Sequence, residues 1–324
     1  MKKLKVVFTA TGFSEPARKL WRSKVAGSKL GINAELIFPE SDLKLHEALP
    51  GADVLIAGPF TRQIFSRAGK LKWVQSHGAG VDRFMFDEFI ASDIPLANAK
   101  GVHPIPMSEH VFAMMLAFER GLHISLEWQK KHAWNDKIEL GELAGKTLLL
   151  AGPGAIGDRI AMLAKAHGMT VVCIRRDLSK KSGYCDEQYG VDKLADAAGK
   201  ADHVVNVLPH TKETYKLFNE KIFSRMNPSA YYYNIGRGKT TDENALIRAL
   251  KEKRIKGAGL DVFEHEPLPK ESELWKMENV IITAHIAGET PFYEDRMSDI
   301  FIRNLEAFLA GKPMPTLVDK QKGY

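Results

Sequence analysis

Ala151-Gly-Pro-Gly-Ala-Ile-Gly157 places glycines at 152, 154 and 157, a GxGxxG spacing. Alone that pattern is a weak signal, because glycine-rich turns are common. Here an apolar run, Thr147–Ala151, precedes it, and Ile156, Ile160, Leu163 and Ala164 repeat at helical spacing behind it, up to Gly168 and another apolar run. In a strand-turn-helix-strand unit, such glycines let backbone amides and a helix N-terminus approach a pyrophosphate. Gly152, Gly154, Ala155, Ile156 and Gly157 are therefore read as dinucleotide-binding residues. The next strand, Val171-Val-Cys-Ile-Arg-Arg-Asp177, ends on two arginines. An NAD site wants an acid about 20 residues past the glycines to accept hydrogen bonds from ribose hydroxyls. The residue at 175 − 157 = 18 positions on is Arg175. A guanidinium cannot accept those bonds, but it can clamp a 2′-phosphate with forked, charge-assisted ones. Arg175 and Arg176, assisted by Ser179 or Lys180, thus point to NADP(H) in preference to NAD(H). The competing reading leaves both arginines solvated and has Asp177 reach back to the ribose.

These residues need elements to position them. In the first hundred residues, short strand-like runs (LKVVFTA, AELIF, DVLIAG, LKWVQS, IPLAN) alternate with longer connections, among them the helical SEPARKLWRSKVAGSKLG. That alternation means parallel pairing in an α/β unit. Pro104 and Pro106 then mark a rigid start to a long helical stretch through VFAMMLAFERGLHISLEWQKK. A second series follows (KTLLLAG, TVVCI, HVVNVL, YYYNIG, GAGLDVF, VIITAHIA), and a terminal helix, RMSDIFIRNLEAFLAG, runs to Gly311-Lys312-Pro313. Two doubly wound parallel sheets are expected. Three consecutive tyrosines, Tyr231 to Tyr233, replace aliphatics in a buried strand, and at least one needs a hydrogen-bond partner.

The chain has 324 residues, 44% hydrophobic and 27% charged, which favours two globular domains over disorder or a membrane protein. No apolar run approaches a bilayer span, the MKKLKVVFTA opening flows into a strand pattern, and a cytoplasmic setting is expected. Two cysteines, Cys173 and Cys185, without CxxC or Cys/His spacing, argue against a disulfide framework and a zinc site, and no metal is expected. The net charge of +6 is scattered without a basic arm, which reads as a solvated surface and not a nucleic-acid site, and an anionic small molecule would benefit from the same field.

Three further segments give these elements a chemistry. Asn234-Ile-Gly-Arg-Gly238, Gly259-Leu-Asp-Val-Phe-Glu-His-Glu-Pro-Leu-Pro269 and Thr283-Ala-His-Ile-Ala-Gly288 resemble the three signatures of the D-isomer specific 2-hydroxyacid dehydrogenase family. LKWVQSHGAGVDRF, MSEH, GKTLLLAGPGAIG and LPHTKETYKLF match it in order, so the resemblance covers nearly the whole chain, with glyoxylate and hydroxypyruvate reductases as the subgroup of choice. By that resemblance Arg237 would hold the substrate carboxylate and polarise its 2-oxo group. His285 would be the reversible acid/base, and Glu266, chosen over the neighbouring Glu264, would bond its far nitrogen, fixing the tautomer and supporting the protonated ring. Asp261 would face the nicotinamide carboxamide. Leu208, Pro209, Thr214, Ile235, Gly236, Ala287 and Gly288, with His285 itself, would line the cofactor. Backbone amides around Gly78, Ala79 and Gly80 would receive the substrate carboxylate.

The resemblance also implies an architecture: a Rossmann nucleotide-binding domain, residues 102–287, inserted into a flavodoxin-like substrate domain, residues 1–101 and 288–324. Substrate would bind in a cleft between the domains. The arm 104–141, with Trp128 and Trp134, would make a homodimer, Trp134 reaching toward the neighbouring subunit. The expected activity is hydride transfer between NADP(H) and a small 2-oxo or D-2-hydroxy acid, with reduction of glyoxylate or hydroxypyruvate favoured. An NAD-dependent dehydrogenase for another 2-hydroxy acid is one alternative, and a dinucleotide-sensing co-repressor of the same fold is another. The formate-oxidising type is disfavoured because it carries a Gln where Glu266 stands.

Overall fold

Runs of Val, Ile, Leu and Ala that are buried along their whole length, such as Val-Leu-Ile-Ala at 54–57, form inner strands of parallel sheets covered on both faces. The computed structural model describes residues 3–28 and 34–323. The chain divides into two units, Met1–Val102 with Thr290–Tyr324, and His103–Glu289.

The first unit holds β1 (Leu4–Phe8), β2 (Ala34–Ile37), β3 (Val54–Ala57), β4 (Trp73–Ser76) and β5 (Leu96–Ala97). Their spatial order is β2-β1-β3-β4-β5, all parallel, which is the flavodoxin-like winding. The helix that precedes β2 spans Glu15–Gly27, and the last residues of its expected sequence, 29–31, lie outside the described residues. Periodicity did not say where the terminal helix packs. It spans Tyr293–Leu309 and buries Met297, Ile300, Phe301 and Leu305 with Trp21 and Trp73. Asn304 pins it in register, donating to Gln75 Oε1 at 2.7 Å and to Thr316 Oγ1 at 2.8 Å.

The second unit holds β6 (Thr147–Ala151), β7 (Thr170–Ile174), β8 (Glu187–Tyr189), β9 (His203–Asn206), β10 (Tyr231–Asn234), β11 (Gly257–Leu260) and β12 (Val280–Ile282). The order β12-β11-β10-β9-β6-β7-β8 is a Rossmann winding extended by one strand, and the fold class is two parallel-sheet α/β units. β8 was absent from the sequence reading. Three residues on a half-solvated edge give no apolar run to detect. The long helical stretch is also broken in two, Pro104–Glu119 and Leu122–Lys130, because Gly121 adopts a left-handed backbone (φ 61°) between them.

One covalent link corrects an expectation. Cys173 in β7 and Cys185 just ahead of β8 form a disulfide, their Cα atoms 6.0 Å apart, because parallel pairing of those strands returns the chain beside itself. The tyrosine expectation has a specific answer. Tyr232 OH meets Asn206 Nδ2 at 2.9 Å and Thr241 Oγ1 at 2.6 Å, while Tyr233 OH meets His203 Nδ1 at 3.1 Å. His203 Nε2 lies 3.2 Å from Glu119, itself bonded to Lys146 at 2.6 Å, so a polar chain runs from buried Tyr233 to the partly exposed Lys146. Among the described residues no helix is long and apolar enough to cross a membrane.

Candidate active site

In parallel α/β sheets, loops leaving the carboxyl ends of the strands make the binding surface. Here the ends of β10, β11 and β12 lie side by side, Asn234 pairing with Leu260 and Leu260 with Ile282. Arg237 follows β10 by three residues, Asp261 to Glu266 follow β11, and His285 follows β12 by three. Gly238, next to Arg237, is required by crowding: a Cβ there would lie 1.8 Å from the Phe263 carbonyl oxygen. The loops after β10 and β11 therefore run against each other.

Within this group the firmest contact joins His285 Nδ1 to Glu266 Oε2 at 2.7 Å. The other carboxylate oxygen of Glu266 accepts from Phe263 N at 3.0 Å, which fixes the acid against its own turn. With Nδ1 so engaged, Nε2 is the nitrogen left to serve a substrate, and the ring is half-exposed. Glu264, the neighbouring acid, instead pairs with Lys216 at 3.0 Å. The Arg237 guanidinium is partly buried and donates to Gly236 O at 2.9 Å. Asn234 sets the base of that loop, accepting from Gly236 N and donating to the Arg237 carbonyl at 3.2 Å.

Asp261, expected to face a nicotinamide carboxamide, has several partners within its own unit. Its carboxylate is buried and accepts from Thr283 Oγ1 at 2.6 Å, Ile286 N at 2.9 Å and Ala287 N at 3.0 Å. Its carbonyl takes the His285 N–H at 2.8 Å. Asp261 therefore grips the segment around His285, whose backbone occupies the left-handed region at φ 55°.

At the glycine loop, Gly154 precedes the helix Ala155–Ala166 without a capping side chain. Its surroundings are open: a Cβ on Gly154 would meet nothing within 4 Å, whereas one on Gly157 would sit 2.7 Å from the Gly152 carbonyl oxygen. The loop thus combines a tightly closed turn with an exposed helix N-terminus, which fits a dinucleotide pyrophosphate. Gly236 flanks it, packed on the Leu208 backbone. Ile235 and Ala287 are buried, so main-chain atoms are what they can offer a ligand. Pro209 O accepts from Thr214 Oγ1 at 2.6 Å, closing the 208–214 loop on itself.

The strand-end arginines differ from each other. Arg175 is half-buried and donates to Pro153 O at 2.9 Å and to Lys180 O, which ties the loop after β7 to the glycine loop. Arg176 is exposed, with Glu213 in its electrostatic reach. The Asp177 carboxylate faces its own loop, accepting from Ser179 Oγ at 2.6 Å, and this bond with the Ser179 amide holds its pKa below the ordinary aspartate value.

In the other unit, the Gly78–Gly80 turn is pinned at the end of β4. Gly78 N bonds Ser76 Oγ at 3.2 Å, and the Gly78 and Ala79 carbonyls accept from Ala99 N and Asn98 Nδ2. His77, just before it, pairs with Glu294 at 3.1 Å. Burial opposes ionisation of Glu294, but the His77 ring and the Trp21 indole N–H outweigh it and hold the carboxyl below its usual value. Phe60 belongs to the core, stacked on Phe84.

The family model for the D-isomer specific 2-hydroxyacid dehydrogenase NAD-binding domain matches residues 112–287. A glyoxylate reductase from Pyrococcus furiosus is 36% identical over 293 residues, 86% of this chain and 85% of the relative. The chain belongs to the D-isomer specific 2-hydroxyacid dehydrogenase family. A solved structure of a D-isomer specific 2-hydroxyacid dehydrogenase family protein from Aeromonas salmonicida superposes with a TM-score of 0.86 at 32% identity, covering 98% of this chain and 100% of that one. An NADPH-dependent glyoxylate/hydroxypyruvate reductase from Sinorhizobium meliloti, solved with NADP and sulfate, gives 0.84 at 29% identity over 99% and 100%. In this chain the glycine loop, Arg237, Glu266 and His285 follow β6, β10, β11 and β12, strands of one parallel sheet. Sequence reasoning missed Thr283, Asn206 and His110. Each is bonded to a side chain remote in the chain, which no local pattern marks.

Proposed function

We propose that this protein reduces a small 2-oxo acid, glyoxylate or hydroxypyruvate, to the D-2-hydroxy acid with NADPH. The observation that carries this reading is the 2.7 Å contact between Glu266 and His285 at the strand ends next to Arg237. When bound, the reduced nicotinamide supplies the hydride. Arg237 would bind the substrate carboxylate and draw electron density toward the 2-oxo oxygen, favouring attack at the carbon. His285, held by Glu266 through Nδ1, would deliver a proton from Nε2 to the forming alkoxide. The Gly154–Gly157 amides would receive the pyrophosphate, and the turn at Ala79 and Gly80 would offer amides to an anion.

Two things support NADP(H): the chemistry of paired guanidinium groups where NAD sites want an acid, and the NADP bound to the S. meliloti reductase. Parallel assays with NADPH and NADH against glyoxylate, hydroxypyruvate, pyruvate and bulkier 2-oxo acids test it. NADPH gives the higher kcat/KM by about tenfold or more, and Arg175→Asp removes that preference. Equal loss of both cofactors in Arg175→Asp would instead assign Arg175 to its bonds with Pro153 and Lys180.

We further propose a homodimer built on the arm 104–141. Leu122, Leu126 and Leu140 are each more than half exposed and Trp134 is 99% exposed, a concentration of apolar surface that a second copy would cover. Sedimentation velocity is expected to give a dimer for the parent and a weaker one for Trp134→Ala. A monomer in both cases ends this assignment.

A further inference from the structure

We propose that His110 is a positioning residue for the acid/base histidine, acting through Thr283 and Asp261; the inference rests on the role given to His285 above. His110 lies on the helix Pro104–Glu119, with Nε2 3.0 Å from Thr283 Oγ1 and 3.8 Å from Asp261 Oδ1. The direction of each bond follows from counting protons. Ile286 N and Ala287 N can only donate to the Asp261 carboxylate, and Thr283 gives its single hydroxyl proton to the same group at 2.6 Å. Thr283 Oγ1 is therefore an acceptor toward His110, whose Nε2 must carry the proton. Burial lowers the His110 pKa from its ordinary value, against the opposing pull of Asp261, which favours the neutral ring, and the bond to Thr283 puts its proton on Nε2.

The result is a directed chain, from the His110 ring to the Thr283 hydroxyl to the Asp261 carboxylate, ending on a group that bonds positions 283, 286 and 287 at once. His285 sits inside that grip with a left-handed backbone, its N–H on the Asp261 carbonyl and its ring on Glu266. Glu266 thus sets the ring from one side, and Asp261 sets the backbone from the other. Without the His110 donor, the Thr283 hydroxyl loses the bond that fixes its rotation, and the carboxylate can turn away from the Ile286 and Ala287 amides. An error of this kind at a proton donor falls chiefly on the rate of the proton transfer.

The test compares His110→Phe, His110→Gln and Thr283→Val with the parent. A glutamine amide can place a donor near the position of Nε2, whereas phenylalanine keeps ring volume without one. His110→Phe and Thr283→Val are expected to lower kcat about tenfold, with KM and the NADPH Kd within about twofold, and His110→Gln to recover kcat to within about threefold of the parent. Parent-like kcat in His110→Phe overturns the proposal. So does a kcat loss in His110→Gln equal to that in His110→Phe and matched by an equal fall in Tm, because it shows a packing role. His285→Ala, run in the same assay, separates the two readings. If that variant keeps turnover, the role of His285 fails; if it is inactive while His110→Phe is normal, only the present inference fails.

Discussion

Replacing His285 by alanine lowers kcat for 2-oxo acid reduction by about 10³-fold, a typical contribution of a positioned acid/base, while the NADPH Kd stays within about twofold. Such a separation is expected because His285 touches the rest of the unit in two distinct ways. Its backbone is held by Asp261, which an alanine preserves, and its ring is held by Glu266 at 2.7 Å, which an alanine removes. An alkoxide forming at the substrate oxygen then has only water to protonate it. Steady-state kinetics with a fluorescence titration of NADPH check the result. A kcat within threefold of the parent would take His285 out of the chemistry.

Arg237→Ala produces a loss of different form, a fall in kcat/KM of about 10³-fold in which both a raised KM and a lowered kcat take part. The guanidinium is assigned two tasks, holding the carboxylate and polarising the carbonyl, so its removal affects the ground state as well as the transition state. Arg237→Lys is expected to recover about tenfold or less, because an ammonium cannot make the planar, two-pronged contact. The loop itself should survive either change. Its shape depends on Asn234 and Thr240 bonding the Arg237 carbonyl and on Gly238 fitting against Phe263. Kinetics for both variants beside their melting curves test this, and a full recovery by lysine would reduce Arg237 to a point charge.

What the sequence made legible, and what it hid, divides by the distance over which each signal acts. The glycine loop is a local pattern. Its strand, turn and helix lie within about twenty residues, and the physical demand on Gly157, room against the Gly152 carbonyl, is met by neighbours in the chain. The choice of Glu266 over Glu264 came from the resemblance, and the geometry supplies a reason: adjacent loops turn one acid to His285 and leave the other with Lys216. Arg175 shows the opposite limit. Its type suggested phosphate, yet its guanidinium also bonds two backbone carbonyls, a use that residue type alone does not reveal.

By itself the sequence determined the two parallel α/β units and the glycine-rich turn between strand and helix, while the roles expected of Arg237 and His285 came from the resemblance. Hydrophobic period, turn chemistry and side-chain type are properties of short segments and survive without coordinates. Only the tertiary structure decided which atoms meet. It joined Cys173 to Cys185, turned Asp261 onto the loop that carries His285, and brought His110 to Thr283 across 173 positions of chain. Those pairings depend on strand order and on the register of β10, β11 and β12, and hydrogen-bond partners so far apart leave no periodic trace in the residues between them.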